Sequence, residues 1–143
     1  MAEQEEIAAN ASEALAQLQY VQNIYTQRYE LLNSQLTAMN IARESMLRGL
    51  ELASNTDRMK GTSILLTTDD ATYMRARIED VESIITYVGG GYLTEKPVKD
   101  AKAFLEQNMK ENDAIHSKLV AEMQNLEKEL FSISYRIAAL TRQ

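Results

Sequence analysis

The stretch "YVGGGYLTEKP", residues 87–97, holds three of the chain's five glycines and its single proline. Glycines beside a lysine can build a phosphate cradle, and they can equally build a turn. A phosphate loop needs a preceding strand, spaced glycines and a helix whose N-terminus receives the anion. Gly89, Gly90 and Gly91 do follow an apolar, β-branched run, "SIITYV" at 83–88. What comes next is "YLTEK" at 92–96, which reads as another strand, and Lys96 is not followed by Ser or Thr. Glycine supplies positive φ at a tight reversal. The stretch therefore predicts strand, turn, strand, and then a helix starting near Pro97, a residue that suits the first helical turn.

The same pattern lies immediately upstream. "TSILLTT" at 62–68 is apolar and β-branched, and "DD" at 69–70 breaks it. In "ATYMRARIE" at 71–79, Met74, Ala76 and Ile78 alternate with Tyr73, Arg75 and Arg77. Period two marks a strand with one face buried. "DVE" at 80–82 makes the next break. Residues 58–96 thus read as two β-hairpins. Four short strands without a covering layer leave open edges and bare faces, which invite pairing with other chains. The sequence therefore predicts an oligomer joined through this region. The candidate assembly residues are Ile64, Leu66, Met74, Ala76, Ile78, Ile84, Ile85, Val88, Gly89, Gly91 and Tyr92.

Long unbroken segments flank the hairpins. Only Gly49 precedes Gly61, and no glycine or proline follows Pro97. From Leu15 the apolar series runs Leu18, Val21, Tyr25, Tyr29, Leu32, Leu36, Met39, Ala42, Met46, Leu50 and Ala53, with a mean step of about 3.5 residues. That spacing keeps one stripe against a partner helix. Arg28, Gln35 and Arg43 sit near the stripe's edge, where their stems can cover it. The last segment repeats the pattern through Leu119, Met123, Leu126, Leu130, Ile133, Ile137 and Leu140. Upstream it continues through Leu105, Met109, Asn112 and then Ile115 or His116. Acidic Glu3, Glu5 and Glu6 open the first helix, while Arg136 and Arg142 lie near the end of the last, as the helix dipole favours. The expected fold is mainly α with a small β part. Residues 1–57 and 97–143 form a long antiparallel two-helix coiled coil, and the two hairpins of 58–96 are inserted between them. The coil is expected at the base of the strands, not over their apolar face. Helices of ~40–45 residues would be ~60–70 Å long.

Composition narrows the function classes. The chain has 143 residues, enough for one domain, with 25% charged and 45% hydrophobic residues. It has no Cys and one His, so no thiolate or histidine metal cluster is available. Absence of Cys fits a reducing cytosol. The acidic N-terminus lacks secretory signal order, and no apolar run approaches a membrane span. A net charge of −6 disfavours nucleic acid and anionic membranes as partners.

Other chemistry-bearing groups have structural readings. Asp69 with Asp70, and Glu79, Asp80 and Glu82, lack calcium-loop spacing and read as solvated turns. His116 and Asn112 read as polar seam positions that set register. Met39, Met46, Met109 and Met123 fall on the seam and read as packing. No catalytic set, metal site or cofactor is expected. At the termini, Ile7, Leu15, Leu18, Leu130, Phe131, Ile133, Ile137 and Leu140 crowd one end of the predicted coil, where no strands cover it. Most belong to the seam; Phe131 is off it by spacing and is the leading candidate for an exposed apolar contact.

The residues "YMRARIED" (73–80) and "SIITYVGGGYLTEKPVKDAKAFL" (83–105) resemble the prefoldin family, in its archaeal, α-type (subunit-5-like) class. Arg75, Arg77, Asp80, Gly89, Gly91, Tyr92, Glu95, Lys96, Asp100, Ala101 and Phe104 carry the resemblance, and two hairpins mark the α-type. The chain departs from the pattern in its first hairpin, where Leu66, Thr67, Thr68 and Asp69 replace an apolar-Pro-apolar-Gly run. The resemblance implies a cytoplasmic hexamer of two α-type and four β-type subunits, with the strands in an intersubunit β-barrel. It also implies a nucleotide-independent holdase. Unfolded client proteins would be captured at the coil tips and passed to a group II chaperonin. A structural or tethering coiled coil without client binding is the alternative reading. The acidic finger of polymerase-channel cleavage factors is set aside, because here strands occupy the loop end of the coil.

Overall fold

The computed structural model describes Met1–Arg142; Gln143, the last residue of the predicted 97–143 segment, lies outside the described residues. The elements are α1 (Ala2–Ser54), α2 (Thr56–Met59), β1 (Ser63–Thr67), β2 (Tyr73–Arg77), β3 (Ser83–Gly89), β4 (Tyr92–Pro97) and α3 (Val98–Thr141). They group into two compact units, Met1–Asn40 with Ala114–Gln143, and Ile41–Asp113.

The first unit pairs the N-terminal part of α1 with the C-terminal part of α3. Two interleaved series at seven-residue intervals turn inward on α1. These are Leu15, Gln22, Tyr29 and Leu36, and Leu18, Tyr25, Leu32 and Met39. Opposite them, His116, Leu119, Met123, Leu126, Leu130, Ile133, Ile137 and Leu140 are buried or half-buried on α3. This is the expected heptad seam; Val21 is half-buried as its spacing predicts, and Gln22 beside it is half-buried as well. Leu32 is fully buried, a burial that contributes ~1.5–3 kcal/mol. Cross-helix bonds fix the direction. Gln22 Nε2 donates to Ser134 Oγ at 3.1 Å. Arg28 Nε and Nη2 both donate to Glu122 Oε1, at 2.9 and 2.7 Å. Tyr29 Oη donates to Glu127 Oε1 at 2.9 Å. Partner numbers fall on α3 as they rise on α1 from 22 to 28, so the helices are antiparallel.

In the second unit, taken by itself, Arg43, Met46, Leu50 and Ala53 on α1 and Ala101, Leu105, Met109 and Asn112 on α3 are buried or half-buried. Here Ala42 is exposed and Arg43 turns inward, donating from Nε to Asp113 Oδ1 at 2.8 Å. The choice between Ile115 and His116 resolves to His116, since Ile115 is exposed in its own unit. α1 ends at Ser54, before residue 57, because Asn55 leaves helical geometry with φ −112° and ψ 9°. Thr56 is buried just beyond, its Oγ1 donating to the carbonyl of Ala53 at 3.4 Å.

Both hairpins form, as antiparallel pairs β1–β2 and β3–β4. Ile64 pairs with Ala76 and Leu66 with Met74, which puts these four on one face of the first hairpin. Ser63, Leu65 and Thr67 share the other face with Tyr73, Arg75 and Arg77. In the second hairpin Ile84 pairs with Lys96 and Thr86 with Thr94, while Ile85 pairs with Glu95 and Tyr87 with Leu93. Gly89, Gly90 and Gly91 have φ of +102°, +61° and +82°, the left-handed region an L side chain resists. The register shifts between Tyr87 and Gly89, so Val88 is the bulged residue. Pro97 is the last strand residue, paired with Ser83, and the helix begins one residue later than the first-turn reading of Pro97 has it.

One expectation changes. The second hairpin does not stand clear of the helices. Ile84, Thr86, Thr94 and Lys96 are half-buried while Ile85, Tyr87, Leu93 and Glu95 are exposed. The Lys96 ammonium lies 5.1 Å from the Phe104 ring centroid, a cation–π contact to α3. The physical reason is that β4 runs directly into α3, Val98 following Pro97, which keeps the Lys96 end of the hairpin beside the helix.

Candidate functional site

Two apolar surfaces stand out, one in each unit. In the first unit, α1 runs past α3: residues 2–10 of α1 are all exposed. Ile7, on this stretch, is 65% exposed. Leu15, Leu18, Leu130, Ile137 and Leu140 are half-buried in the seam, and Ile133 is only 5% exposed. A client could reach Ile133 only if the seam opened. Phe131 is 76% exposed, beside Gln124, Glu127 and Lys128. Tyr135, one helical turn further, is 73% exposed and shares the Phe131 flank of α3. Spacing singles out Phe131 but passes over Tyr135 and Tyr20, also exposed; their off-seam position was the available signal. A groove of about 500 Å³ opens between the helices here, lined by Ala14, Leu18, Val21, Ala139 and Leu140, with Gln17 and Arg136.

In the second unit the exposed apolar side chains are on the strands. Of the candidate assembly residues, Leu66, Met74, Ile85, Val88 and Tyr92 are exposed. Ile64, Ala76, Ile78, Ile84 and Gly89 are half-buried, and Gly91 is exposed at the turn. Leu65, Tyr73, Tyr87 and Leu93 are also exposed and were missed, because alternation was read along each strand and not across the pair. A groove of about 480 Å³ runs along β3 and is floored by Ala42, Ser45, Gly49 and Leu105. No charged residue lines it.

The polar groups serve the fold. Asp69 Oδ1 accepts from the backbone N–H of Ala71 at 3.0 Å and of Thr72 at 2.6 Å. These two bonds hold the Asp69 carboxyl below its ordinary pKa. Thr67 Oγ1 bonds the carbonyls of Asp69 and Thr72. The Thr67-Thr68-Asp69 departure thus closes its own turn by side-chain hydrogen bonds, without proline or glycine. The Glu127 carboxylate, by accepting from Tyr29, pushes the phenol pKa up. Among the described residues no group of three His, Asp or Glu side chains could hold a metal ion. None of the described helices is long and apolar enough to cross a membrane.

Comparison with known proteins agrees with this architecture. The Prefoldin family model, described as prefoldin subunit, matches residues 25–143. The chain is 27% identical to prefoldin subunit alpha of Methanocorpusculum labreanum, over 94% of this chain and 92% of that one. It is 24% identical to prefoldin subunit alpha of Pyrococcus horikoshii, over 88% and 86% of the two chains. It is also 24% identical to human prefoldin subunit 5, over 66% and 62%. Among solved structures, a filamentous PFD from Methanocaldococcus jannaschii, determined by cryo-electron microscopy, superposes with a TM-score of 0.53 at 16% identity, over 84% of this chain and 94% of that one.

Proposed function

The chain belongs to the prefoldin family of chaperones, and from that premise we propose that it is the α-type subunit of a cytoplasmic, ATP-independent holdase. Its strands join it to β-type subunits, two α-type chains with four β-type. Unfolded proteins are held at the end of the coil where the N-terminus of α1 and the C-terminus of α3 meet, and are passed to a group II chaperonin. The observation that carries this reading is large apolar side chains left in water at that end, Ile7 at 65%, Phe131 at 76% and Tyr135 at 73% exposure. Each is a weak contact alone. Several arms in one oligomer raise the avidity without a deep pocket. Hairpin faces that expose Leu66, Met74, Ile85 and Tyr92 support assembly through the strands.

The test removes residues 1–14 and 131–143 from the chain in its oligomer and measures suppression of aggregation of a denatured client. Loss of suppression with the oligomer intact supports the reading. Unchanged suppression moves client contact elsewhere. An intact oligomer that protects no client, truncated or not, favours the structural, tethering alternative. Native mass spectrometry of the chain mixed with β-type subunits checks the 2:4 stoichiometry.

A further inference from the structure

We infer that two copies of this chain lie side by side through the first unit, the outer face of α1 in one copy against the outer face of α3 in the other. This copy-to-copy contact goes beyond the client-holding reading and does not depend on it.

The outer faces are apolar where a solvent-facing helix side is expected to be polar and charged. On α1, Tyr20 is 68%, Ile24 44% and Leu31 49% exposed. With exposed Gln27 they follow one another by steps of four, three and four residues, out of phase with the inward series of Leu18, Tyr25 and Leu32. On α3, Gln124, Lys128, Phe131 and Tyr135 are exposed and follow one another by the same steps, out of phase with Met123, Leu126 and Leu130.

The seam supplies the register. Within the chain Gln22 reaches Ser134 and Tyr29 reaches Glu127. A second copy lying parallel at the same level presents its α3 to α1 in that register, to within one residue. Tyr20 then faces Tyr135 of the second copy, Ile24 faces Phe131, Gln27 faces Lys128 and Leu31 faces Gln124. No axial shift is needed to bring the two stripes together. Gln124, Glu127, Lys128 and Phe131 already surround a hollow of about 380 Å³ on α3. Four residues at this spacing form the hole that takes one knob of a facing helix. Gln27 of the other copy stands opposite its centre, with Ile24 and Leu31 on either side.

Charge selects which faces meet. From Met1 to Asn40 the charged side chains are Glu3, Glu5, Glu6, Glu13 and Glu30, with Arg28 as the single base, bonded to Glu122. From Ala114 onward α3 carries Lys118, Lys128, Arg136 and Arg142; of its acids, Glu122 and Glu127 are engaged by Arg28 and Tyr29 of α1, which leaves Glu129. One side of the coil is thus acidic and the other basic. Pairing α1 with α1, or α3 with α3, sets like charges together. Pairing α1 with α3 sets opposite ones together and penalises the wrong faces. In the register above, Glu13 meets Arg142 of the second copy. Such a contact is heterologous, so each added copy presents the same two faces again.

The chain has no cysteine, so single thiols report the contact. Ser34 and Ala121, the next exposed step of each stripe, face each other in the same register and leave the apolar anchors intact. Full-length Ser34→Cys and Ala121→Cys chains are mixed in equal amounts, assembled in the oligomer and mildly oxidised. The mixed disulfide is expected to form about tenfold faster than Ser34→Cys with itself. It is expected to exceed by as much the pair of Ser34→Cys with Ala114→Cys, which is one heptad, ~10 Å, out of register. Phe131→Ser with Tyr135→Ser brings the rate down to that of the controls while the unfolding midpoint holds, since both residues lie outside the seam. Glu13→Arg in the Ser34→Cys chain slows the reaction, and Arg142→Glu in the Ala121→Cys chain restores it. Equal rates for all three thiol pairs overturn the inference and leave both faces open to clients. Absence of the mixed disulfide overturns it too, as does a rate that ignores the Phe131 and Tyr135 substitutions. No client is present in these reactions, so client holding stands or falls by its own truncation test.

Discussion

Leu105 occupies the space that a side chain on Gly49 would need: a Cβ built there stands 3.1 Å from Leu105 Cδ1. A glycine inside a helix costs up to ~1 kcal/mol relative to alanine. Close approach of the buried Leu105, 8% exposed, is what the glycine provides in return. In Gly49→Ala the helix gain and the crowding of Leu105 oppose each other, so unfolding stability changes by less than about 0.5 kcal/mol. In a Leu105→Val background the crowding is relieved, and Gly49→Ala then stabilises by ~1 kcal/mol. Thermal or urea unfolding of the four variants gives the coupling directly. Identical effects of Gly49→Ala in both backgrounds would show that the 3.1 Å approach has no energetic weight.

Asn112 sits in the seam with its Nδ2 buried and without a hydrogen-bond partner. An unsatisfied buried donor costs ~1–3 kcal/mol. Asn112→Leu removes that cost and adds apolar surface to the seam, so it is expected to stabilise by ~1–2 kcal/mol. A polar seam residue also restricts register. The variant should therefore keep its helicity but populate additional oligomers, read by denaturant unfolding and native mass spectrometry. A stability loss on Asn112→Leu would mean that the amide is satisfied in solution.

The seam was legible because heptad spacing is a one-dimensional property of each helix. Leu18, Tyr25, Leu32, Met39, Met46 and Ala53 recur every seven residues, and all turn inward. Spacing read by apolar character alone chose Ala42 where strict counting gives Arg43, and it passed over Gln22, which is half-buried beside Val21. Those two polar residues enter the seam because each finds a partner, Asp113 and Ser134, on the other helix. Such partners become visible only once the helices are aligned. The hairpin faces were half legible for a similar reason. Met74 and Ala76 follow from alternation, but which face of β3 meets the helices is set by contacts such as Lys96 over Phe104, on the strand that Ile84 pairs with. At the coil end, Phe131 was visible as an off-seam apolar residue. The groove beside Arg136 was not, since its lining residues come from two helices more than a hundred positions apart.

Asp69 makes the first hairpin sensitive to acid. Its carboxylate accepts the N–H groups of Ala71 and Thr72, which lower its pKa in the folded chain. A lowered folded pKa means the contribution is present above the unfolded value, about 4, and is lost as pH falls through the folded one. Between about pH 5 and 8 the turn is expected to be unchanged. Below about pH 4 the amides of Ala71 and Thr72 should shift and exchange faster. Asp69→Ala should show fast exchange at every pH, while Asp69→Asn keeps an oxygen acceptor and loses the pH dependence. Amide chemical shifts across the acid range check this. Ala71 and Thr72 signals that respond to acid equally in wild type and Asp69→Asn would assign the effect to another group.

Among the described residues, none covers the N-terminal stretch of α1. Gln22 is opposite Ser134, and α3 ends at Thr141, so the register runs out near Leu15. The first ten residues are accordingly all exposed. Isolated helices shorter than ~12–15 residues are marginal in water. Glu3 and Glu5 favour the helix through its dipole, yet that gain is ~0.3–1 kcal/mol for each and does not replace a packed seam. Amides of residues 2–12 are therefore expected to exchange orders of magnitude faster than those around Leu32 and Leu36, which are buried. Ile7→Ser should leave the unfolding midpoint within about 0.5 kcal/mol of wild type, because Ile7 packs against nothing the coil depends on. If Ile7 touches clients, the same substitution weakens aggregation suppression, and adding a denatured client to wild type slows exchange in residues 2–12. Hydrogen exchange with and without client reads both effects. Protection of residues 2–12 equal to that of Leu32 in the client-free chain would show that this stretch already has a partner, such as another arm of the oligomer, and would remove it from the client-contact surface.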